Sequence, residues 1–183
     1  MSLFSVGKTF SCTGWRVGYV IAPVALTKPL LAAHTAVNFC APTPLQRASA
    51  TAFETAQGNG YFEWFAKMMQ AKRDELVTVL REVGLKPVVP QGGYFIICDA
   101  GVFFEAAQVS LGALGPETPL DERPDVKICK WVTEHVGVTA IPVSPFYLPA
   151  ERHQANRLIR FAICKDQATI ALAAERLRAW AKR

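Results

Sequence analysis

The longest helical pattern in the chain, Tyr61 to Val83, divides everything around it. Tyr61, Phe65, Met68, Leu76 and Leu80 fall on one helical face, the spacing that an amphipathic helix needs. The aromatic and methionine side chains of that stripe read as core packing rather than as a cofactor box. Lys72-Arg73-Asp74-Glu75 reads as its solvated face, and Gly84 as its C-cap. After Gly84 the period changes. Lys86 to Val89 and Tyr94 to Cys98 read as short strands joined by Pro90-Gln91-Gly92-Gly93. A weak helix (Phe103 to Ala107) and a loop carrying Gly112, Gly115, Pro116 and Pro119 follow. Asp125 to Val136 is a helical pattern with Val126, Cys129 and Val132 inward. Val138 to Ile141 and Leu158 to Ile163 read as strands. Asp166 caps a last helix with Ile170, Ala173, Leu177 and Trp180 on one face.

Upstream of the long helix, Trp15 to Ala22 reads as a strand buried on both faces and stopped by Pro23. Val24 to Thr35 reads as a helix whose first turn has to hold Pro29. Asn38 to Thr43 is a loop, Pro44 to Thr55 a second helix, and Gln57-Gly58-Asn59-Gly60 a break. The order is α/β first and α+β afterwards, which predicts one domain over 1–65 and another over 66–183, with a bridging helix over 61–83.

Half of the 183 residues are apolar, enough for a sizeable core. The net charge of +5 suits anionic ligands. No dense Lys/Arg run precedes Lys182-Arg183, which argues against nucleic acid as a partner. The five cysteines are scattered, as in reduced thiols of an intracellular protein, cytoplasmic or mitochondrial. The three histidines and the cysteines lack metal-ligand spacing, so no metal is expected. No apolar run is long enough to span a membrane. A targeting segment, if there is one, is expected outside this chain.

The chemistry concentrates in Ser5-Val6-Gly7-Lys8-Thr9-Phe10-Ser11-Cys12-Thr13-Gly14-Trp15-Arg16, where two cations stand eight residues apart among small residues. Lys8 has three readings: a solvated charge, the end of a phosphate-gripping loop, or an amine that condenses with a cofactor aldehyde. Gly7-Lys8-Thr9 resembles the end of a Walker A loop, but that loop needs a glycine where Ser2 stands. A nucleotide triphosphatase is therefore excluded. An amine that attacks an aldehyde must be unprotonated, which desolvation and a neighbouring cation favour. Val6 and Phe10 are apolar neighbours, and Arg16 is within reach if the loop folds back. In Leu158-Ile159-Arg160-Phe161-Ala162-Ile163, a charge interrupts an apolar strand, so Arg160 is either paired in a salt bridge or faces a ligand.

Ser-x-Gly-Lys-Thr-Phe-Ser-x-Thr-Gly-Trp-Arg-x-Gly-Tyr resembles the cofactor-lysine segment of fold-type I, pyridoxal-phosphate-dependent aminotransferases. The nearest resemblance is to the kynurenine aminotransferase / glutamine transaminase K / cysteine-conjugate β-lyase group. It extends from Phe4 to Trp180. It implies an α/β fold: the end of a large-domain, mostly parallel sheet over 1–65, then an α+β small domain over 66–183. It implies pyridoxal 5′-phosphate as cofactor, Lys8 as the catalytic lysine, and Ser5 and Arg16 as phosphate ligands. Ile-Arg-Phe-x-x-x-Lys-Asp resembles the family's C-terminal motif, which makes Arg160 the grip on the substrate α-carboxylate. Pro90-Gln91-Gly92-Gly93-Tyr94-Phe95 resembles the loop beside the substrate, which places Gly93 there. Phe39 matches an aromatic that reaches into the neighbouring subunit of a homodimer. Cys40 replaces the family histidine beside it.

The implied activity is amino transfer from kynurenine, glutamine or an aromatic amino acid to a 2-oxo acid. Cysteine-conjugate β-lyase activity is the close alternative. The family's ring-stacking aromatic, pyridine-nitrogen aspartate and first phosphate-binding helix lie upstream of the lysine and match no residue here. Two expectations follow: an incomplete chain of an active enzyme, or a non-catalytic remnant acting in interaction or dimerisation. Either is expected to expose a large apolar surface.

Overall fold

A computed structural model describes residues 1–112 and 114–183. Ala113, within the loop expected between Gly101 and Arg123, lies outside the described residues. The backbone groups into two compact units, Met1–Phe65 and Ala66–Arg183, and the division falls inside the long helix.

In the first unit, β1 (Ser2–Ser5) pairs antiparallel with β2 (Gly18–Ile21), with Ser5 opposite Gly18. Between them lie a single helical turn, α1 (Val6–Thr9), and a 3-10 turn over Thr13–Trp15. The helices α2 (Val24–Asn38) and α3 (Thr43–Ala56) follow. An aromatic cluster joins these elements. Phe10 meets Phe53 edge-on at 4.9 Å and stacks on Tyr61 at 5.4 Å, while Tyr19 lies 5.8 Å from Phe53.

Two expectations fail in this unit. The strand over 15–22 is neither that long nor buried: β2 keeps four residues, all exposed. A strand is enclosed only when sheet neighbours and covering layers exist, and among the described residues β1 is its one partner. Pro29 is not in the first turn of α2, which begins at Val24. The proline sits inside the helix and denies the Ala25 carbonyl its helical partner. No residue of α2 is buried.

The second unit is built on a four-stranded antiparallel sheet in the order β3-β4-β6-β5. Its strands are β3 (Lys86–Val88), β4 (Phe95–Asp99), β5 (Ile141–Pro142) and β6 (Leu158–Ala162). The strand expected over 138–141 shrinks to β5. Alternation is clean in β4 and β6: Ile96, Cys98, Ile159 and Phe161 are buried on the core face, and Phe95, Ile97 and Arg160 occupy the other. The core face is covered by α4 (Tyr61–Glu82), α5 (Gly101–Ala107), α6 (Pro124–His135) and α7 (Gln167–Ala181). Leu80, Ile96, Phe103, Ile128, Ile159 and Leu177 are completely enclosed. In α6 the inward residues are Ile128, Cys129 and Val132, with Val126 only half-buried.

The ends of these helices follow from their caps. Gly84, at φ +84°, closes α4, and the Leu85 N–H reaches the Leu80 carbonyl at 3.0 Å. That is the bond pattern of a left-handed glycine cap. The Asp166 carboxylate accepts the Thr169 N–H at 2.7 Å and starts α7.

Candidate functional site

Pairing of Ser5 with Gly18 closes the chemistry-bearing segment into a loop, and the Val6 N–H donates to Val17 O at 3.1 Å just inside it. Glycine is needed at two places. A Cβ on Gly7 would come within 2.9 Å of Thr13 Cα, and one on Gly18 within 2.6 Å of Phe4 O. The loop also holds two non-glycine residues in the left-handed region, Ser11 at φ 55° and Arg16 at φ 56°. Such conformations cost on the order of 1 kcal/mol each and gather at functional sites.

The left-handed Arg16 turns its guanidinium back over the loop, where Nη1 donates to Thr13 O at 3.2 Å. Ser5 and Arg16 then line one cavity of about 200 Å³ with Gly7, Thr13, Val17 and Gly18. Lys8 stands on α1 in the same loop, exposed, and is not among the lining residues. The expected desolvation by its neighbours is not realised. Val6 turns into the interior, and Phe10 packs on Phe53 and Tyr61. The Tyr61 hydroxyl donates to Thr9 O at 2.9 Å and ties the start of α4 to the end of α1. Burial, and then the nearby Cys12, raise that phenol above its ordinary range.

The donor set suits a phosphate group. Arg16 and Ser5, a guanidinium fork and a hydroxyl residue, line one cavity with two glycines, without a carboxylate among its lining residues. A side chain in place of Gly7 would crowd the loop that forms it.

Phe39 follows α2 at φ 64° and ψ −71°, with the Cys40 N–H donating to Asn38 O at 2.8 Å. This is the rare, strained form of the three-residue turn. It leaves the Phe39 ring 77% exposed.

The remaining two residues belong to the second unit. Gly93, at φ +81°, ends the turn between β3 and β4 and is exposed, with open space where a Cβ would stand. Arg160 lies on the sheet face opposite the core. The open alternative of a salt bridge is resolved: among the described residues no carboxylate is within ion-pair distance of it. Its Cζ sits 4.0 Å from the Phe95 ring centroid and 4.5 Å from that of Phe146. Such contacts hold a guanidinium by cation–π attraction. Its Nε is enclosed with no hydrogen-bond partner.

Sequence reasoning missed Asp125, a carboxylate with no exposure whose Oδ2 accepts the N–H groups of Val143 and Ser144 at 2.9 and 2.7 Å. An acid in a helix's first turn ordinarily faces water near the positive end of the dipole. Pro124 ahead of it marks the helix start, but no local signal marks the burial.

Among the described residues, no helix is long and apolar enough to cross a membrane. The family described as "Aminotransferase class I and II" matches residues 1–177. Human kynurenine–oxoglutarate transaminase 1 is 39% identical over 185 residues, covering 98% of this chain and 42% of the relative. Mouse kynurenine–oxoglutarate transaminase 3 is 40% identical, covering 98% and 39%. The crystal structure of Bna3p from Saccharomyces cerevisiae superposes with a TM-score of 0.80 at 34% identity, over 98% of this chain and 42% of that one. The chain thus spans about two fifths of the length of the curated relatives it matches. The family is generally dependent on pyridoxal phosphate, and the fold-type I reading holds. This chain belongs to the class I and II aminotransferases.

Proposed function

We propose that the chain is the C-terminal part of a pyridoxal-phosphate-dependent aminotransferase. Residues 1–65 are the remainder of its large domain and 66–183 its small domain. The reaction moves an amino group from kynurenine, glutamine or an aromatic amino acid to a 2-oxo acid. The observation that carries this reading is the shared cavity of Ser5 and Arg16, within the same closed loop as Lys8.

Pyridoxal 5′-phosphate supplies an aldehyde and an electron-withdrawing ring that accepts the electron pair released at the substrate α-carbon. The chain's residues supply position and proton transfer. Arg16 and Ser5 donate hydrogen bonds to the phosphate, the guanidinium as a charge-assisted pair. Lys8 Nζ, when unprotonated, would take the proton from the substrate α-carbon and deliver it to the cofactor C4′, as a positioned general base and then acid. Arg160 receives the α-carboxylate as a two-pronged partner, with its guanidinium held by the Phe95 and Phe146 rings. Gly93 leaves room for close approach of main chain to substrate. The strained turn at Phe39 supports its presentation to a second copy, in a homodimer. The free cysteines agree with an intracellular location, cytoplasmic or mitochondrial.

Incubation with pyridoxal phosphate followed by borohydride reduction tests this. The expected product is a stable pyridoxyl-phosphate adduct on Lys8, located by peptide mass spectrometry and absent from Lys8→Ala. Arg16→Ala is expected to lower the yield about tenfold at limiting cofactor, the loss of one charge-assisted contact. A folded sample without an adduct on Lys8 would overturn the reading.

A further inference from the structure

Asp125 is fully buried, yet no cation lies within ion-pair distance of it among the described residues. Both of its hydrogen bonds go to main-chain N–H groups in one place. Val143 and Ser144 lead directly from β5 into the 3-10 turn Ser144–Phe146. That turn carries Phe146, whose ring lies 4.5 Å from Arg160 Cζ. Residue Ile141 of β5 is paired directly with Arg160 of β6, so the anchored turn leaves the sheet beside the arginine.

Among the described residues, no side-chain hydrogen bond fixes the guanidinium. Its Nε is enclosed and unpartnered, and its direction rests on two rings. Phe95 is fixed by the ladder of β4 with β6. Phe146 is 62% exposed and has no such ladder. Its place depends on the turn, and the turn depends on the carboxylate. Both N–H groups converge on the one Oδ2 atom, so a single side chain holds two successive residues of the turn.

We propose that Asp125 is a positioning residue for Arg160. Through Val143 and Ser144 it locks the turn that holds Phe146 against the guanidinium, so that the open fork is presented to a ligand carboxylate. The inference rests on the reading of Arg160 as the group that takes the α-carboxylate.

The test uses the whole chain and two probes, phenylpyruvate and its neutral 1-carboxamide, titrated by calorimetry or by NMR. The chain is expected to bind the acid about tenfold more tightly than the amide, the value of one charge-assisted pair. Asp125→Ala is expected to remove that preference by weakening the acid and leaving the amide unchanged. Asp125→Asn, whose single amide oxygen can accept both N–H groups, is expected to keep the acid within about threefold of the original. Phe146→Leu, at an exposed position, is expected to reproduce the loss, and the double variant to add nothing further, as residues on one route are non-additive.

Loss of both probes equally in Asp125→Ala would mean a merely structural role and would overturn the proposal. So would an unchanged preference in Asp125→Ala, or a loss in Asp125→Asn as large as in Asp125→Ala. Should Asp125→Ala fail to fold, Phe146→Leu decides, and a retained preference there overturns the proposal. Arg160→Gln separates the two layers. If it keeps the preference, the carboxylate reading of Arg160 falls and this inference with it. If it abolishes the preference while Asp125→Ala does not, only this inference falls.

Discussion

Residues 66–183 and residues 1–65 share one chain and have opposite interiors. The second unit encloses a continuous apolar core between a four-stranded sheet and its helices. The first presents Leu3, Val24, Leu31, Val37 and Phe39 to solvent at 63–84% exposure. The whole chain has 11470 Å² of accessible surface at 20.1 kDa, about a third more than the roughly 8,700 Å² of a folded monomer of that mass. The excess has an address. A helix such as α2, with no buried residue, gains little from packing, and packing is what stabilises most protein helices.

The largest expected effect breaks the comparison most directly. Phe103→Ala, in the enclosed core, should cost about 3–5 kcal/mol, whereas Leu31→Ala, at 63% exposure, should stay within about 0.5 kcal/mol. Denaturant titration of the full chain checks both. Similar losses for the two would show that the first unit has an interior of its own.

The thiols sharpen it next. Burial, aided by the Asp99 carboxylate, pushes Cys98 up to about 12, and burial aided by Asp125 does the same for Cys129. Cys40 and Cys164 are exposed. Iodoacetamide at pH 8 should therefore label Cys40 and Cys164 at least about a hundredfold faster than the two buried thiols, read by peptide mass spectrometry. The same shift sets a pH dependence. In the unfolded chain these thiols lose their protons near pH 8.5, before the folded ones do, so the unfolded state binds fewer protons above that point. Their contribution to stability is complete below about pH 8.5 and is lost as pH rises toward about 12. Denaturation midpoints that hold steady over that range would contradict the enclosed positions of both cysteines.

The smallest effect is a cap. Asp166→Ala removes the acceptor of the Thr169 N–H at the start of α7 and should lower the melting temperature by about 2–4 °C. An unchanged melt would mean that packing of Ile170 and Leu177 alone fixes that helix end.

Legibility in the sequence followed the same division. Gly84 and Asp166 could be read as caps because a cap is a local contract between one residue and the next turn. Ser5 and Arg16 could be read as neighbours because a short closed loop puts both on one cavity, whereas Lys8 stands in the same loop but outside that lining. The burial of Trp15 to Ala22 could not be read, because an apolar β pattern states a preference for cover and not its presence. Asp125 escaped for a different reason. Its burial is decided by Val143, eighteen residues further on, and nothing adjacent to it records that partnership. Arg160 stood out as a charge among apolar residues, but whether it met a carboxylate or two rings depended on strand register.

The ribbon of β1 and β2 has a consequence for what ligand capture costs. By joining Ser5 to Gly18 it removes most of the freedom of the loop between them before any anion arrives. The conformational entropy of assembling hydroxyl and guanidinium is thereby charged to folding rather than to association. A two-stranded ribbon is marginal by itself, so this order is borrowed from the packing of Tyr19 and Phe10 on Phe53. Phe53 is not among the residues lining the cavity, yet it helps determine how many configurations the loop explores. Trimming that one ring would leave every donor in the sequence and spread them over an ensemble.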